Sequence, residues 1–167
     1  MFLRGRACKQ PAVHCGKPPT EGLKLALKII TLQANHSDWA IKTFGNAPAD
    51  AAKDPAAAMD NQFKIEAAID AAAAARAKTS DANSLIYLAK ANQLANADPT
   101  KIKAPALILY SPTDLVFYRP LVEEAAKKIA SGGTPVDTAQ LPGPNGHLNG
   151  VFGVAQQGEK IKAFLDK

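Results

Sequence analysis

The chain has 167 residues, 47% of them hydrophobic and 21% charged, with a formal net charge of +5. The length suits one domain, but Leu, Ile, Val and Phe together supply only 37 of the 167 residues, Ala making up much of the rest, so the expectation is a fold that closes but is weakly stabilised. Residues 1–30 hold six basic side chains against Glu21, and the other 137 residues hold 14 basic and 14 acidic ones, which excludes the basic stripe on a folded body that nucleic-acid binding requires.

Residues 1–19 combine clustered positive charge with Pro and Gly breaks and no periodicity. A disordered, dispensable basic arm is expected there. Its Cys8, His14 and Cys15 supply three of the residue types that bind metals, but no fourth stands at a useful spacing. They read as incidental thiols and a loop imidazole, and no metal or cofactor is expected. No apolar run approaches the roughly 20 residues of a membrane span, and the basic N-terminus lacks the apolar core of a secretory signal. A soluble, cytoplasmic protein with no membrane partner is the expectation.

Thr20 or Glu21 opens a helix predicted to run to Ala34, with Leu23, Ala26, Leu27 and Ile30 on one face. Ser37 or Asp38 then caps a short helix holding Trp39, Ile41 and Phe44, closed by Gly45. His36 lies beside Asp38; one reading is a catalytic pair, the other a solvated turn, and the second is favoured because no nucleophile stands nearby. Asp54-Pro55 looks like an N-cap followed by Pro at the first helical position, and predicts a helix from Ala56 to Lys78 carried by Ala propensity. Thr79-Ser80-Asp81 opens the next helix, with Leu85, Leu88, Ala89 and Asn92 on one face, and Asp98-Pro99 ends it.

From residue 101 the pattern changes. Ala106–Tyr110 is a short apolar run between Pro-bearing turns, which predicts a buried strand. Asp114 follows in the next loop, Pro120–Ala130 repeats apolar residues at helical spacing, and Val136–Leu141 is a second strand. A Gly- and Pro-rich loop presents His147, and a last helix is predicted from Val151 to Leu165. The fold class is therefore α/β: a helical region followed by two β-α units with parallel strands. Reactive groups collect in loops at the carboxyl ends of such strands. For Asp114 the alternative is a turn carboxylate capping the helix at Pro120, and for His147 a solvent-exposed loop residue. If they form a pair, the strands lie side by side and a carboxylate oxygen comes within hydrogen-bond reach of the imidazole.

The order strand, Asp loop, helix, strand, Gly-His loop, helix resembles the C-terminal part of an α/β-hydrolase-fold enzyme. The run Lys103-Ala-Pro-Ala-Leu-Ile-Leu-Tyr-Ser-Pro-Thr-Asp114, with the upstream Asp81-Ala-Asn-Ser-Leu-Ile-Tyr-Leu-Ala-Lys-Ala91, is similar to the homoserine O-acetyltransferase branch. The resemblance covers roughly residues 19–167. It implies a lid-like region at 20–100 and the end of the catalytic core at 101–167. It implies Asp114 as the orienting acid and His147 as the base of a Ser-Asp-His triad, with no cofactor. The partners implied are a small-molecule acyl donor and an alcohol acceptor.

Two departures from that pattern bear on function. No Gly-x-Ser-x-Gly occurs, and none of Ser37, Ser80, Ser84, Ser111 and Ser131 stands on a strand-to-helix Gly turn. Val13-His14-Cys15-Gly16-Lys17 lacks the leading Gly of a cysteine version. The expectation is the C-terminal portion of a longer enzyme, with an N-terminal half or a second chain as partner. The second departure is Leu148, directly after His147, where biosynthetic homoserine acetyltransferases carry an Asp that meets the substrate ammonium. An apolar residue cannot do that, so another alcohol, or water, is the implied acceptor. The alternatives are an esterase of the same fold completed by another chain, and a non-catalytic pseudoenzyme or helical interaction module.

Overall fold

The computed structural model describes residues 18–167. Residues 1–17, which carry Cys8, His14, Cys15 and most of the expected basic arm, lie outside the described residues. The elements are α1 (Thr20–Ala34), α2 (Ser37–Thr43), α3 (Lys64–Ala77), α4 (Ala82–Leu94), β1 (Ala106–Tyr110), α5 (Arg119–Ser131), β2 (Val136–Gln140), α6 (Asn149–Phe152) and α7 (Gly158–Leu165). They fall into two units. One comprises the described residues up to Leu32 and Phe44–Ala95; the other comprises Gln33–Thr43 and Asn96–Lys167.

The first unit is helical. Leu23 and Leu27, one turn apart on α1, meet Ala73 of α3 and Ala82 of α4, with Ala77 and Leu85 packed against them. Two leucines and two alanines make a small core. Burying each leucine is worth about 1.5–3 kcal/mol, and the alanines add closeness more than area. Asp81 begins α4 by accepting a hydrogen bond from Ser84 N at 2.7 Å, the N-cap role its position predicts. Leu85 faces the core, but Leu88, expected on the same face, is 63% exposed.

The helix expected from Ala56 to Lys78 is corrected. It begins only at Lys64. Asp54 turns its side chain onto Ala56 N at 2.9 Å, and Asn61 donates to Asp54 O at 2.8 Å. These side-chain bonds offer the backbone a turn in place of a helix, as Asx residues do. Phe63 then bridges Pro48 in an antiparallel contact. Glu66 starts the helix by accepting from Phe63 N at 2.7 Å.

In the second unit β1 and β2 pair in parallel, with Ala106 opposite Val136 and Tyr110 opposite Gln140. The connection between them contains α5. Pro120 occupies its first turn, where a missing N–H costs nothing. Glu123 accepts from Arg119 Nε at 2.7 Å and from the Tyr110 hydroxyl at 3.1 Å, which ties the helix to the strand. Ile129 of α5 and Leu141 just past β2 are the buried apolar residues of this unit.

The single last helix expected from Val151 to Leu165 is also corrected. A 3₁₀ turn over Gly146–Leu148 is followed by the four-residue α6, closed by Gly153 N–H on Asn149 O at 2.8 Å, then a 3₁₀ turn over Val154–Gln157, then α7. Glycines 153 and 158 sit at the breaks, where helix propensity is low. No helix among the described residues is long and apolar enough to cross a membrane.

The ion pair between Lys28 of α1 and Asp70 of α3 joins two helices of the first unit. The Lys28 ammonium, bonded to Asp70, holds that carboxyl below its ordinary range, and Gln62 adds a further hydrogen bond. A carboxyl with a lowered pKa stabilises the fold above the ordinary value near pH 4, and that contribution fades as pH falls through the lowered value. Both side chains are more than a third exposed, so solvent screens the pair. Asp70→Asn should lower stability by up to about 1 kcal/mol at neutral pH, with the difference vanishing toward pH ~2. Urea unfolding at the two pH values measures this. A difference that persists in acid would assign the effect to packing.

Candidate active site

Parallel pairing sends the chain out of β1 and β2 at the same end. Leu141 N donates to Tyr110 O at 2.8 Å, so the register still holds at the last strand residues. The loop after β1 carries Asp114, and the loop after β2 carries His147. Although 33 positions separate them, His147 Nδ1 lies 2.9 Å from Asp114 Oδ2. The Asp114 side chain is 7% exposed and that of His147 is 34% exposed.

The two oxygens of Asp114 have different partners. Oδ1 accepts from Val116 N at 2.7 Å and from Phe117 N at 2.9 Å. Oδ2 is left for His147. Of the two sequence alternatives, the structure shows the contact with His147 and not a cap on α5, whose N-cap is Tyr118 with no side-chain bond. The N–H groups it holds belong to the turn before α5 and not to the helix itself. That turn also places the Phe117 ring against the imidazole, centroids 5.2 Å apart at an edge-on 60°. Asp114 therefore meets His147 directly and, through the turn it holds, brings Phe117 against the same ring.

A carboxylate only accepts, so the neutral imidazole must carry its proton on Nδ1. That leaves Nε2 with a lone pair for a reacting group. Chemically the arrangement can take a proton at Nε2 and stabilise the resulting imidazolium through Asp114.

Gly146 has φ +58°, and a Cβ there would stand 2.9 Å from His36 N and 3.2 Å from Ala34 O. Both the left-handed backbone and the close approach exclude a side chain. The junction of α1 and α2 thus seats directly against the His147 loop. His36 turns its own ring to Asp38, with Nδ1 accepting from Asp38 N at 3.3 Å and standing 3.6 Å from Asp38 Oδ2. The structure does not join His36 to Asp114 through any hydrogen bond.

Two features had no sequence signal strong enough to be read. Asn149, 2% exposed, is the most deeply buried polar residue described. Its position two residues after His147 was visible; its burial was not. Ser111, the serine nearest to Asp114 in sequence, is 3% exposed. Its hydroxyl accepts from Asn149 Nδ2 at 3.0 Å, so it is held as a structural group. Among the described residues, no cluster of three or more His, Cys, Asp and Glu could hold a metal ion.

No known protein-family profile matches the chain. The curated relative serine O-succinyltransferase of Emericella nidulans is 40% identical over 77 residues, which is 46% of this chain and 14% of that protein. Among solved structures, the chain is similar to esterase E22, at 30% identity and a TM-score of 0.76 over 88% of this chain and 42% of that one. A mutant of the same esterase matches at 28% identity, with a TM-score of 0.77, over 90% of this chain and 43% of that one. A homoserine O-acetyltransferase from Bacillus anthracis matches in fold, with a TM-score of 0.76 at 20% identity over 91% of this chain and 43% of that one. The chain spans less than half the length of each of these proteins.

Gly146→Ala would strain the left-handed backbone and push on the α1–α2 junction. A loss of about 1–3 kcal/mol in stability is expected, measured by urea unfolding. An unchanged midpoint would show that the loop moves aside freely.

Proposed function

We propose, for a chain that has the α/β-hydrolase fold in a homoserine O-acetyltransferase-like form, a role in acyl transfer in which Asp114 is the orienting acid and His147 the general base. The observation that carries this reading is the 2.9 Å contact between Asp114 Oδ2 and His147 Nδ1 across two loops at one end of adjacent parallel strands. The serine nucleophile comes from outside the chain's own five serines, from an N-terminal half or a second chain. Residues 20–100 are the lid-like region in this reading, and 101–167 the end of the catalytic core.

The chemistry follows from the pair. As a serine Oγ attacks an acyl carbonyl, Nε2 of His147 takes its proton, and the Asp114 carboxylate stabilises the imidazolium. The same proton then goes to the leaving group, which departs and leaves an acyl-serine. In the second half, Nε2 removes a proton from an alcohol or from water, which attacks the acyl-serine and restores the serine. Positioned proton transfer of this kind contributes about 10²–10⁴ in rate.

Leu148 supports an acceptor without an ammonium group beside its hydroxyl. The uncharged side chain offers no partner to a cation, and desolvating one there would be costly. Water as acceptor, which makes the reaction ester hydrolysis, agrees with the likeness to esterase E22.

The test is complementation. The chain alone should not hydrolyse p-nitrophenyl acetate above buffer. Mixed or co-expressed with a polypeptide that carries the part of esterase E22 outside the matched 42%, it should gain activity. His147→Ala should then reduce that activity by at least about 100-fold, and Asp114→Asn by a comparable factor through loss of the orienting acceptor. Activity of the chain alone that His147→Ala abolishes would overturn the external nucleophile. Complemented activity indifferent to His147→Ala would overturn the base. A complex that forms without activity favours the non-catalytic reading.

A further inference from the structure

We infer that Asn149 is a positioning residue, its buried amide setting the distance between the Asp114 loop and the His147 loop. Three hydrogen bonds carry the inference. Nδ2 donates to Ser111 Oγ at 3.0 Å and to Gly143 O at 3.0 Å, and Oδ1 accepts from Asn145 N at 3.2 Å. Ser111 is the first residue after β1; Gly143 and Asn145 belong to the loop after β2. One side chain thus fastens both loops at the strand ends.

The orientation of the amide is fixed by chemistry. Asn145 N–H can only donate, and Gly143 C=O can only accept. Oδ1 must face the first and Nδ2 the second, so the remaining Nδ2 proton points to Ser111. Ser111 Oγ lies 3.2 Å from Thr113 Oγ1. Since it already accepts from Asn149, its own proton is free to go to Thr113. The Ser111 carbonyl accepts from Asp114 N at 3.2 Å. Ser111 is therefore bonded to Asn149 through its hydroxyl and to the backbone of Asp114 through its carbonyl.

Space is matched as closely as hydrogen bonding. Gly143 has φ +149°, and a Cβ there would overlap Asn149 Oδ1 at 2.5 Å. The loop backbone lies directly against the amide. Asn149 also opens α6, and its carbonyl takes the N–H of Gly153, so the residue is anchored at both its side chain and its main chain. Neither Asp114 nor His147 touches Asn149 through any of these bonds. Its effect on them is through the loops.

This rests on the Asp114–His147 contact as an acid–base pair, and the experiment reads that contact without turnover, so failed complementation and failed positioning are separable. The probe is the ring proton on Nδ1 of His147 in ¹⁵N-labelled protein. A proton shared with a buried carboxylate gives a far-downfield resonance that exchanges slowly with water, and His147→Ala identifies it by its loss. In Asn149→Ala, and in the isosteric Asn149→Asp, which sets an acceptor against Gly143 O, the resonance should vanish or exchange at least about 10-fold faster while the amide spectrum remains folded. Ser111→Ala removes the tie at the end of β1 together with the Ser111–Thr113 contacts, leaves the Gly143 and Asn145 bonds of Asn149 in place, and should produce a smaller change in the same direction. Ile69→Ala, which loosens the helical unit, is the control for general loss of stability and should leave the resonance in place. The inference is overturned if folded Asn149 variants keep the wild-type resonance and exchange rate, or if Ile69→Ala at equal destabilisation has the same effect. If neither Asn149 variant folds, Ser111→Ala decides, and an unchanged resonance there overturns it. Absence of the resonance in the wild-type chain would overturn it as well.

Discussion

The parallel pairing of β1 with β2 is the constraint on which the candidate site depends. Its register is short, Ala106–Tyr110 against Val136–Gln140, yet it determines that Ser111 and Leu141 leave the sheet together. A slip of one residue would turn every strand side chain to the other face and would carry the two loops apart along the strand axis by about 3.3 Å. A hydrogen bond of 2.9 Å between Asp114 and His147 does not tolerate that shift. The site is thus as specific as the sheet beneath it, and the sheet is held from the side by Tyr110 and Glu123 and at its end by Leu141 N–H on Tyr110 O.

Within the site, the division of labour in Asp114 matters most. An isolated carboxylate could rotate about its own bonds. Two backbone N–H groups on Oδ1 remove that freedom and leave Oδ2 in one place. The carboxylate is thus held in place independently of the imidazole. The same two N–H groups place Phe117, whose ring leans on the imidazole from another side. A few bonds of one acidic residue therefore meet an imidazole 33 positions away.

The sequence made the second unit legible because each of its elements is bounded by residues with a fixed local meaning. Pro105 and Pro112 flank β1, Pro120 opens α5, and Gly132-Gly133 closes it. The Asp and His loops followed from strand order, and a resemblance to a known enzyme branch pointed to the same two residues. Ala-rich stretches were less legible. Ala56–Ala58 carries helix propensity, but Asp54 and Asn61 bind the backbone locally and outweigh it. The burial of Asn149 was hidden for a different reason: a polar residue near a Gly reads as a turn, and only the three-dimensional approach of two loops shows that its amide is enclosed. The end of the chain was misread because Gly153 and Gly158 lay within an otherwise helical pattern, where glycine is tolerated often enough to pass.

The unit that carries the site is discontinuous along the chain, taking Gln33–Thr43 from one place and Asn96–Lys167 from another. Gly146 meets Ala34 and His36 of that early segment, so the seat of the His147 loop is built from residues made long before it. Its contacts have high sequence separation, and such topologies close slowly. The entropic cost of closing the intervening segment rises only with the logarithm of its length, by about 0.6 kcal/mol for each doubling. The stretch 44–95 can therefore vary in length with little thermodynamic penalty to the site. Removal of 33–43 is a different matter, because it would strip the surface against which the His147 loop lies. The helical stretch that lies between those two pieces answers to its own small core of Leu23, Leu27, Ala73 and Ala82, while the short junction before it is bound to the fate of the His147 loop.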